Sequence, residues 1–340
     1  MESFRLSFIF TLVAAAIAFY WQGMQAVFLV LILGLLEVSL SFDNAVVNAS
    51  VLKRMSSIWQ HRFLTWGMVV AVFGMRLVFP VAIVAFATDL SFIDVTQMAM
   101  QDPAQYAEHL HNSHTLIASF GGVFLLLVAF SFLFDETRDV YWLGKIEEKL
   151  QELGKLDAIS TTLSLAALLG IYSIVLPEHK HDVLMGGVWG IFLYGLVSSL
   201  DRFFQDEDET ETLADAAKRG GIMAFLYLEL LDASFSFDGV IGAFAITRDI
   251  VTIMLGLGIG AMFVRSLTIL LVNKGTLDEY VFLEHGAHYA IGSLAIIMLI
   301  STYQSIPEVI TGLIGAVFIG LSLYSSIRHK RIEEQNSSAN

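Results

Sequence analysis

The chain has 340 residues, of which 56% are hydrophobic and only 15% are charged. A soluble domain of this length could not bury so much apolar surface, so the composition excludes an ordinary soluble protein and indicates a membrane protein. The formal net charge is −14. The chain contains no cysteine, which excludes disulfides, thiolate metal sites and dithiol redox chemistry.

Apolar runs follow one another along almost the whole chain. A membrane-spanning helix needs about 20 mostly apolar residues. Ten runs approach or exceed that length, at 4–20, 26–48, 63–87, 115–134, 159–176, 183–200, 221–246, 250–272, 286–303 and 308–327. The sequence therefore predicts an all-α fold, a polytopic membrane helix bundle with about ten transmembrane helices.

The basic residues predict how the bundle is oriented. If the runs are threaded in order, 15 of the 19 lysines and arginines fall on one side. By the positive-inside rule both termini are cytoplasmic, and we expect a multi-pass protein of the bacterial inner membrane. The first run could instead be a cleaved signal peptide. We expect it to be retained, because its removal would leave an internal repeat unpaired.

That repeat begins with the motif acid-x-Ser-x-Ser-Phe-Asp, which occurs at 37–43 and again at 232–238. A second match relates 111–119 to 285–293. Both offsets amount to five helices, an odd number, so equivalent helices would cross the bilayer in opposite directions. We predict two inverted five-helix repeats and a disordered cytoplasmic tail, at 1–178, 179–327 and 328–340.

The predicted spans contain five carboxylates: Glu37, Asp43, Glu229, Asp232 and Asp238. Each costs roughly 2.5–3.5 kcal/mol inside a membrane, which makes it a candidate functional residue. Arg76 and Arg265 lie inside predicted helices rather than at their ends, and we expect them to act in ion pairing or gating. About three negative charges are left over, so a cation or protons must neutralise them.

The side chains of the motifs are hard ligands, which bind cations through oxygen. Carboxylates, serine, Asn44 and backbone oxygens suit Mn²⁺, with Ca²⁺ and Mg²⁺ as alternatives. Glu37 and Asp43 lie about 120° apart around a straight helix, so this helix either sits centrally in the bundle or unwinds near the serines. Pairing of the acids with the two arginines as structural support, and proton relay, are the competing interpretations.

Two His-x-x-His pairs fall at the predicted mouths of the bundle. His111 and His114 lie near the outer mouth, and His285 and His288 near the inner mouth. A spacing of three puts both rings of a pair on one helix face, where they could form a loading site in each vestibule. The alternative is that they are polar anchors at the membrane interface.

At the two acidic motifs, 37–44 and 232–239, the sequence resembles the TerC family of integral membrane proteins, within the LysE-like transporter group. The resemblance covers most of the chain and implies divalent-metal handling, with manganese export the best-supported activity in related members. It implies these transport-site residues: Glu37, Asp43, Asp232 and Asp238, with Asn44 beside them. The second motif departs by having Gly239 where the first has Asn44, and a long outer loop is expected at 88–112.

Together these patterns predict a transporter rather than an enzyme. We expect export of a hard divalent cation, Mn²⁺ first, through a midplane carboxylate site by alternating access, with protons as a candidate coupling ion. One alternative is an intramembrane enzyme in which a histidine pair and an acid hold a metal. Another is a membrane scaffold without transport. The expected partners are the lipid bilayer, the cation and protons, with no nucleic acid; self-association is left open.

Overall fold

A computed structural model of the chain describes residues 4–67, 69–88, 90–156, 158–206, 213–247, 249–273, 279–304 and 306–338. Some side chains within these ranges, including those of Asp43 and Asp238, also lie outside the described part. All regular secondary structure of the described residues is helical.

Five helices are long and apolar enough to cross a membrane. They are Arg5–Gln22, His114–Leu133, Pro177–Ser199, Ile250–Asn273 and Leu283–Ser301. Two further apolar helices are shorter, Met24–Val38 and Ile159–Ile174. The prediction of an all-α membrane bundle is confirmed at this level of detail.

The first motif lies where one helix gives way to the next. Helix α1 (Arg5–Gln22) turns at Gly23, whose φ of 76° favours glycine, into α2 (Met24–Leu40). The chain then departs from helical geometry at Ser41, with φ −104° and ψ 20°, before α3 (Phe42–Arg54) begins. This interruption lies at the serines, where unwinding was one of the two arrangements that the sequence left open.

The third predicted span is irregular along most of its length. It consists of α4 (Ser57–Arg62), two π-helical segments, Phe63–Gly67 and Val70–Val78, and α5 (Phe79–Thr88). Proline has no backbone N–H, so Pro80 interrupts the hydrogen-bond ladder where π geometry changes to α. Pi-helical turns are wider than α-helical ones and are frequent at functional sites.

The expected outer loop at 88–112 is instead a pair of short helices, α6 (Phe92–Gln101) and α7 (Pro103–Asn112). The Ser91 side chain accepts a hydrogen bond from the Asp94 N–H, and Asp102 accepts one from the Gln105 N–H. Such capping satisfies helix N–H groups that otherwise have no partner. Apolar residues of both helices are buried, which packs the pair onto the bundle.

The remaining helices complete the bundle. They are α8 (His114–Leu133), α9 (Lys145–Leu153), α10 (Ile159–Ile174), α11 (Lys180–Asp206), α12 (Leu213–Ile246), α13 (Ile250–Asn273), α14 (Leu283–Ser301) and α15 (Glu308–Ser338). The second motif lies within α12, which runs through it without the interruption seen at Ser41. We call the end where α8 finishes and α14 begins the basic end, because Arg138, Lys145 and Lys149 lie there; the opposite end is the far end.

Helix α8 lies at the centre of the packing, against α11 on one side and α14 on another. Close approach to α11 depends on glycine, since a Cβ on Gly186 would lie 2.1 Å from the backbone oxygen of Leu116. Helix α2 packs in the same way on α13, where a Cβ on Gly256 would lie 2.5 Å from Leu33 Cβ. Small residues allow helix backbones to approach closely in membrane bundles.

The contact at Gly186 gives a test of the packing of α8 on α11. We expect Gly186→Ala to destabilise the protein by about 1–3 kcal/mol, because the added methyl group meets backbone that cannot move aside. Gly195→Ala on the same helix is the matched control, because a Cβ there has nothing within 4 Å. Thermal unfolding of the detergent-purified variants measures the difference. Equal midpoints for the two variants would contradict the close approach.

Candidate functional site

A small cavity with polar and apolar walls lies inside the bundle, between α3, the π-helical third span, α12 and α13. Its volume is about 40 Å³, enough for a few water molecules or one partly hydrated ion. Polar residues from all four elements line it: Ser41, Asn44, Asn48, Arg76, Glu229, Asp232, Arg265 and Thr268.

Glu37 is neutralised at one edge of this cavity. Its Oε1 lies 2.5 Å from Nη2 of Arg76, and both side chains are only 3% exposed. Ser41 Oγ donates to the same oxygen over 3.1 Å. Oppositely charged groups this deeply buried stabilise each other strongly, and removing one partner leaves an uncompensated charge. The pair therefore fixes α2 against the π-helical segment of the third span.

Two glycines make room for Glu37. A Cβ on Gly260 of α13 would lie 2.2 Å from Glu37 Cγ, and a Cβ on Gly239 of α12 would lie 2.7 Å from Glu37 Oε2. The second of these explains why the two motifs differ. Gly239 stands where the first motif has Asn44, and a side chain there would meet the glutamate of the first motif.

The two motifs are joined directly by one hydrogen bond. Asn44 Nδ2 donates to Asp232 Oδ1 over 3.0 Å, and both residues are buried. The other oxygen of that carboxylate, Oδ2, has no hydrogen-bond partner among the described residues. The contact brings residues 188 positions apart in sequence to one point.

Glu229 is the least satisfied acid in the described part of the site. It is 6% exposed, and neither of its carboxylate oxygens has a hydrogen-bond partner there. Gly67 gives it space, since a Cβ on that residue would lie 2.8 Å from Glu229 Oε1. A buried carboxylate without hydrogen bonds or an opposite charge is strongly unfavourable, so such a group requires a proton or a cation.

Arg265 lies in the cavity wall and binds the third span. Its Nε donates to the backbone oxygen of Leu64 over 2.6 Å. Among the described residues, neither oxygen of Glu229 accepts a hydrogen bond from it, and nor does Oδ2 of Asp232. Within the described residues, Arg76 therefore pairs with an acid and Arg265 binds the backbone of the third span.

Five predicted site residues line the cavity together, namely Asn44, Arg76, Glu229, Asp232 and Arg265. Glu37 joins them through Arg76. Asp43 and Asp238 lie in α3 and α12, and their side chains fall outside the described part. Within the described residues, no three histidines, aspartates or glutamates are close enough together to hold a metal ion.

At the far end the rings of His111 and His114 stack with their centroids 6.5 Å apart. A cavity of about 410 Å³ nearby is lined by different polar residues, including His109, His181 and Asp182. The predicted pair is thus adjacent in space, but other histidines line the cavity.

At the basic end, His285 and His288 line a cavity of about 430 Å³. His285 Nε2 lies 2.9 Å from the Val140 carbonyl oxygen, and His288 Nδ1 lies 2.8 Å from that of Glu284. A carbonyl only accepts, so each of these nitrogens carries the hydrogen and donates it. The His288 ring also stacks on Phe132, with centroids 3.8 Å apart.

Glu147 of α9 lies beside this cavity and is 0% exposed. The backbone N–H groups of Trp142 and Leu143 donate to it over 3.0 and 3.2 Å, and the Tyr289 hydroxyl donates a further short hydrogen bond. His285 Nε2 lies 3.4 Å away. Burial by itself raises the pKa of Glu147, but the hydrogen bonds from His285, Tyr289 and Leu143 outweigh it and hold the pKa at about 2.

Sequence reasoning did not include Asn48, Thr268 or Glu147 among the site residues. Asn48 lies four residues after Asn44 on the same helix, a spacing that places both on one face and could have identified it. Thr268 belongs to an apolar run without any motif. Glu147 lies among lysines and glutamates, a composition typical of a solvated segment, so only tertiary structure reveals its burial.

The length and composition of the helices, with a polar cavity inside them, define a helical membrane protein. Within that class the chain belongs to the DUF475 family, described as a protein of unknown function, whose model matches residues 42–333. No curated protein and no solved structure matches the chain. The predicted membership of the TerC family is wrong, because the matching family is a different one. The shared motif is too short to separate two families of membrane proteins.

The hydrogen bonds of Glu147 predict a pH-dependent stability. Its pKa is about 2 in the folded protein and ordinarily 4.5, so the carboxylate stabilises the fold above about pH 4.5, and this stabilisation is lost as the pH falls toward 2. We expect Glu147→Gln to lower the thermal midpoint near neutral pH, and the deficit to shrink below about pH 4.5.

Thermal unfolding of the detergent-purified protein across this pH range makes the measurement. Glu148→Gln is the control, because Glu148 lies on the same helix and is exposed. A deficit for Glu147→Gln that stays the same at every pH would contradict the assignment.

Proposed function

We propose that the protein transports a hard divalent cation through the central cavity, in the direction of export. The observation that carries this proposal is Glu229, a 6% exposed carboxylate whose two oxygens lack partners among the described residues. Asp232 Oδ2 and Asn48 Oδ1 are buried acceptors in the same situation. All three residues line one cavity, and they offer oxygen ligands to a cation.

Charge supports the same proposal. Arg76 neutralises Glu37. Among the other described residues of the cavity wall, the two acids Glu229 and Asp232 face a single positive charge, that of Arg265. Asp43 belongs to α3 and Asp238 to α12, and their charges would add to the negative excess. A low-dielectric interior disfavours such an excess strongly, so binding of a divalent cation stabilises the site. Protons released from the acids as the cation binds would couple proton transport to cation transport.

The donor atoms narrow the choice of ion. Carboxylate and amide oxygens suit Mn²⁺, Mg²⁺ and Ca²⁺, and softer metals prefer the thiolates that this chain lacks. The missing ligands of a complete coordination sphere would come from Asp43, Asp238 and water. Mn²⁺ is the first ion to test, because its binding is directly visible by electron paramagnetic resonance.

The proposed architecture is ten transmembrane helices in two inverted repeats, with both termini in the cytoplasm. Helical segments lie at all ten apolar runs. The helix contacts fit the repeat in part: α2 and α3 pack on α13, the eighth span, and α12, the seventh span, packs on the third. The fourth and ninth spans, α8 and α14, pack on each other. Inverted repeats of this kind place the substrate site at their interface.

The two alternatives have less support. An intramembrane enzyme would bring a histidine pair to the acids, but the histidines of both predicted pairs lie at the ends of the bundle, and none lines the central cavity. A scaffold would have its acids neutralised and no cavity between them. Glu229 is not neutralised by any described residue, and it lines a cavity.

Flux into proteoliposomes tests the proposal. Purified protein is reconstituted in liposomes loaded with a Mn²⁺-sensitive dye, and we expect Glu229→Gln and Asp232→Asn each to reduce Mn²⁺ flux by roughly tenfold or more, as removal of a charged ligand requires. Asp43→Asn and Asp238→Asn are expected to do the same. Glu108→Gln, which changes an exposed glutamate on α7, should leave flux unchanged.

Absence of Mn²⁺, Mg²⁺ and Ca²⁺ flux in the wild type would overturn the proposal, as would unchanged flux in all four acid variants. A proton current without any cation flux would point instead to proton relay by the same acids.

A further inference from the structure

The cavity at the basic end follows the central one along α3. Asn44 and Asn48 line the central cavity, and Val51, one turn further on, lines the basic-end cavity. Residues three or four apart share one face of a helix, so the same face of α3 passes from one cavity to the other. On α12, Glu229 lines the first cavity and Tyr227 lines the second from the opposite face of the helix.

The basic-end cavity has an acidic lining and an unsatisfied ligand atom. Asp135, Asp139 and Glu284 contribute to its wall and outnumber Arg138, the one arginine among the described residues there. His285, 4% exposed, lines it as well, and its Nδ1 has no hydrogen-bond partner among the described residues. Nε2 donates to the Val140 carbonyl, so in the neutral ring it is Nδ1 that carries the lone pair. The basic-end cavity, with a volume of about 430 Å³, has room for a hydrated cation.

One wall of the cavity is formed by a connecting segment, residues 135–154, which we call the basic-end strap. It has its own network of hydrogen bonds: Gln151 Nε2 donates to the backbone oxygens of Asp135 and Arg138, and Tyr141 donates to Gln151 Oε1 over 2.6 Å. Such a network lets the strap keep its shape as a unit.

The strap is attached to α14 through Glu147. The Tyr289 hydroxyl donates to its carboxylate, His285 Nε2 lies 3.4 Å from it, and the rings of Trp142 and Tyr289 pack with centroids 5.7 Å apart. The hydrogen bond from His285 Nε2 to the Val140 carbonyl adds to this attachment to α14, and Arg138 binds α8 through the Leu133 carbonyl and the Phe132 ring. A unit that is rigid within itself but held by a small number of polar contacts can move as a body when those contacts break.

We propose that the basic-end cavity is the chamber through which the divalent cation reaches the central site, and that the strap is its gate, held closed by Glu147 on Tyr289 and His285. This inference rests on the proposed function and adds the entry route and the moving element to it. Entry from the basic end, which the positive-inside rule places in the cytoplasm, fits transport in the direction of export.

Cysteine labelling tests the gate without any need for flux. The chain has no cysteine, so Ser50→Cys introduces a single thiol into the full-length protein. Ser50 is 5% exposed and lines the basic-end cavity, so a charged methanethiosulfonate reagent should react with it only when the strap opens. Tyr289→Phe removes one hydrogen bond to Glu147 and keeps the ring.

We expect Tyr289→Phe and Glu147→Gln to raise the labelling rate at Ser50→Cys about tenfold, since loss of one hydrogen bond to a charged group shifts an opening equilibrium by about that factor. Ser113→Cys, in the far-end cavity, is the control and should label at an unchanged rate in both backgrounds. Mn²⁺ should slow the labelling of Ser50→Cys in the opened variants by occupying the chamber.

If Tyr289→Phe and Glu147→Gln leave the labelling rate of Ser50→Cys unchanged, or raise that of Ser113→Cys equally, the strap is not the gate. If labelling of Ser50→Cys becomes faster but Mn²⁺, Mg²⁺ and Ca²⁺ all fail to slow it, the chamber is not a cation route. Labelling as expected in a protein that moves no cation in liposomes would overturn the proposed function alone, so the two failures are distinguishable.

Discussion

The ion pair between Glu37 and Arg76 is the contact on which the central site depends. A carboxylate inside a membrane bundle needs an opposite charge, and the 2.5 Å contact supplies it from a different helix. Because the glutamate also occupies the space left by Gly239 and Gly260, the same side chain holds α2 in contact with α12 and α13. Four elements thus meet around one charge, and the cavity is the space beside it.

Irregular helix geometry follows from this arrangement. Ser41 departs from helical dihedrals and donates to Glu37, so the interruption of the second span and the satisfaction of its acid occur at the same residue. Arg76 lies in a π-helical segment, where the wider turn changes the direction of side chains relative to an α-helix. Departures from regular structure are tolerated inside a membrane protein where they line a cavity, as both of these do.

Sequence reasoning predicted the helical bundle and five of the polar residues that line the cavity, because hydrophobic length and the cost of buried charge act locally and can be recognised in a single chain. It predicted a loop where α6 and α7 form, since their short amphipathic pattern is weak without knowledge of the surface they cover. Which arginine pairs with which acid, and the burial of Glu147, depend on contacts between distant residues that no local pattern encodes. The predicted family was wrong: the resemblance was carried by the two acidic motifs, and the family whose model matches is a different one.

The two motifs carry two acids each but have different described partners, and on the proposed function this difference leaves a place for a cation. Glu37 of the first motif is paired with Arg76. Asp232 of the second motif accepts a hydrogen bond from the amide of Asn44, and the neighbouring Glu229 receives nothing from the described residues. A fully paired site would be a structural element that resists change. With one acid neutralised by the protein and others left for a mobile charge, as we propose, arrival and departure of that charge would alter how α12 is held against α3, which is the coupling that alternating access requires.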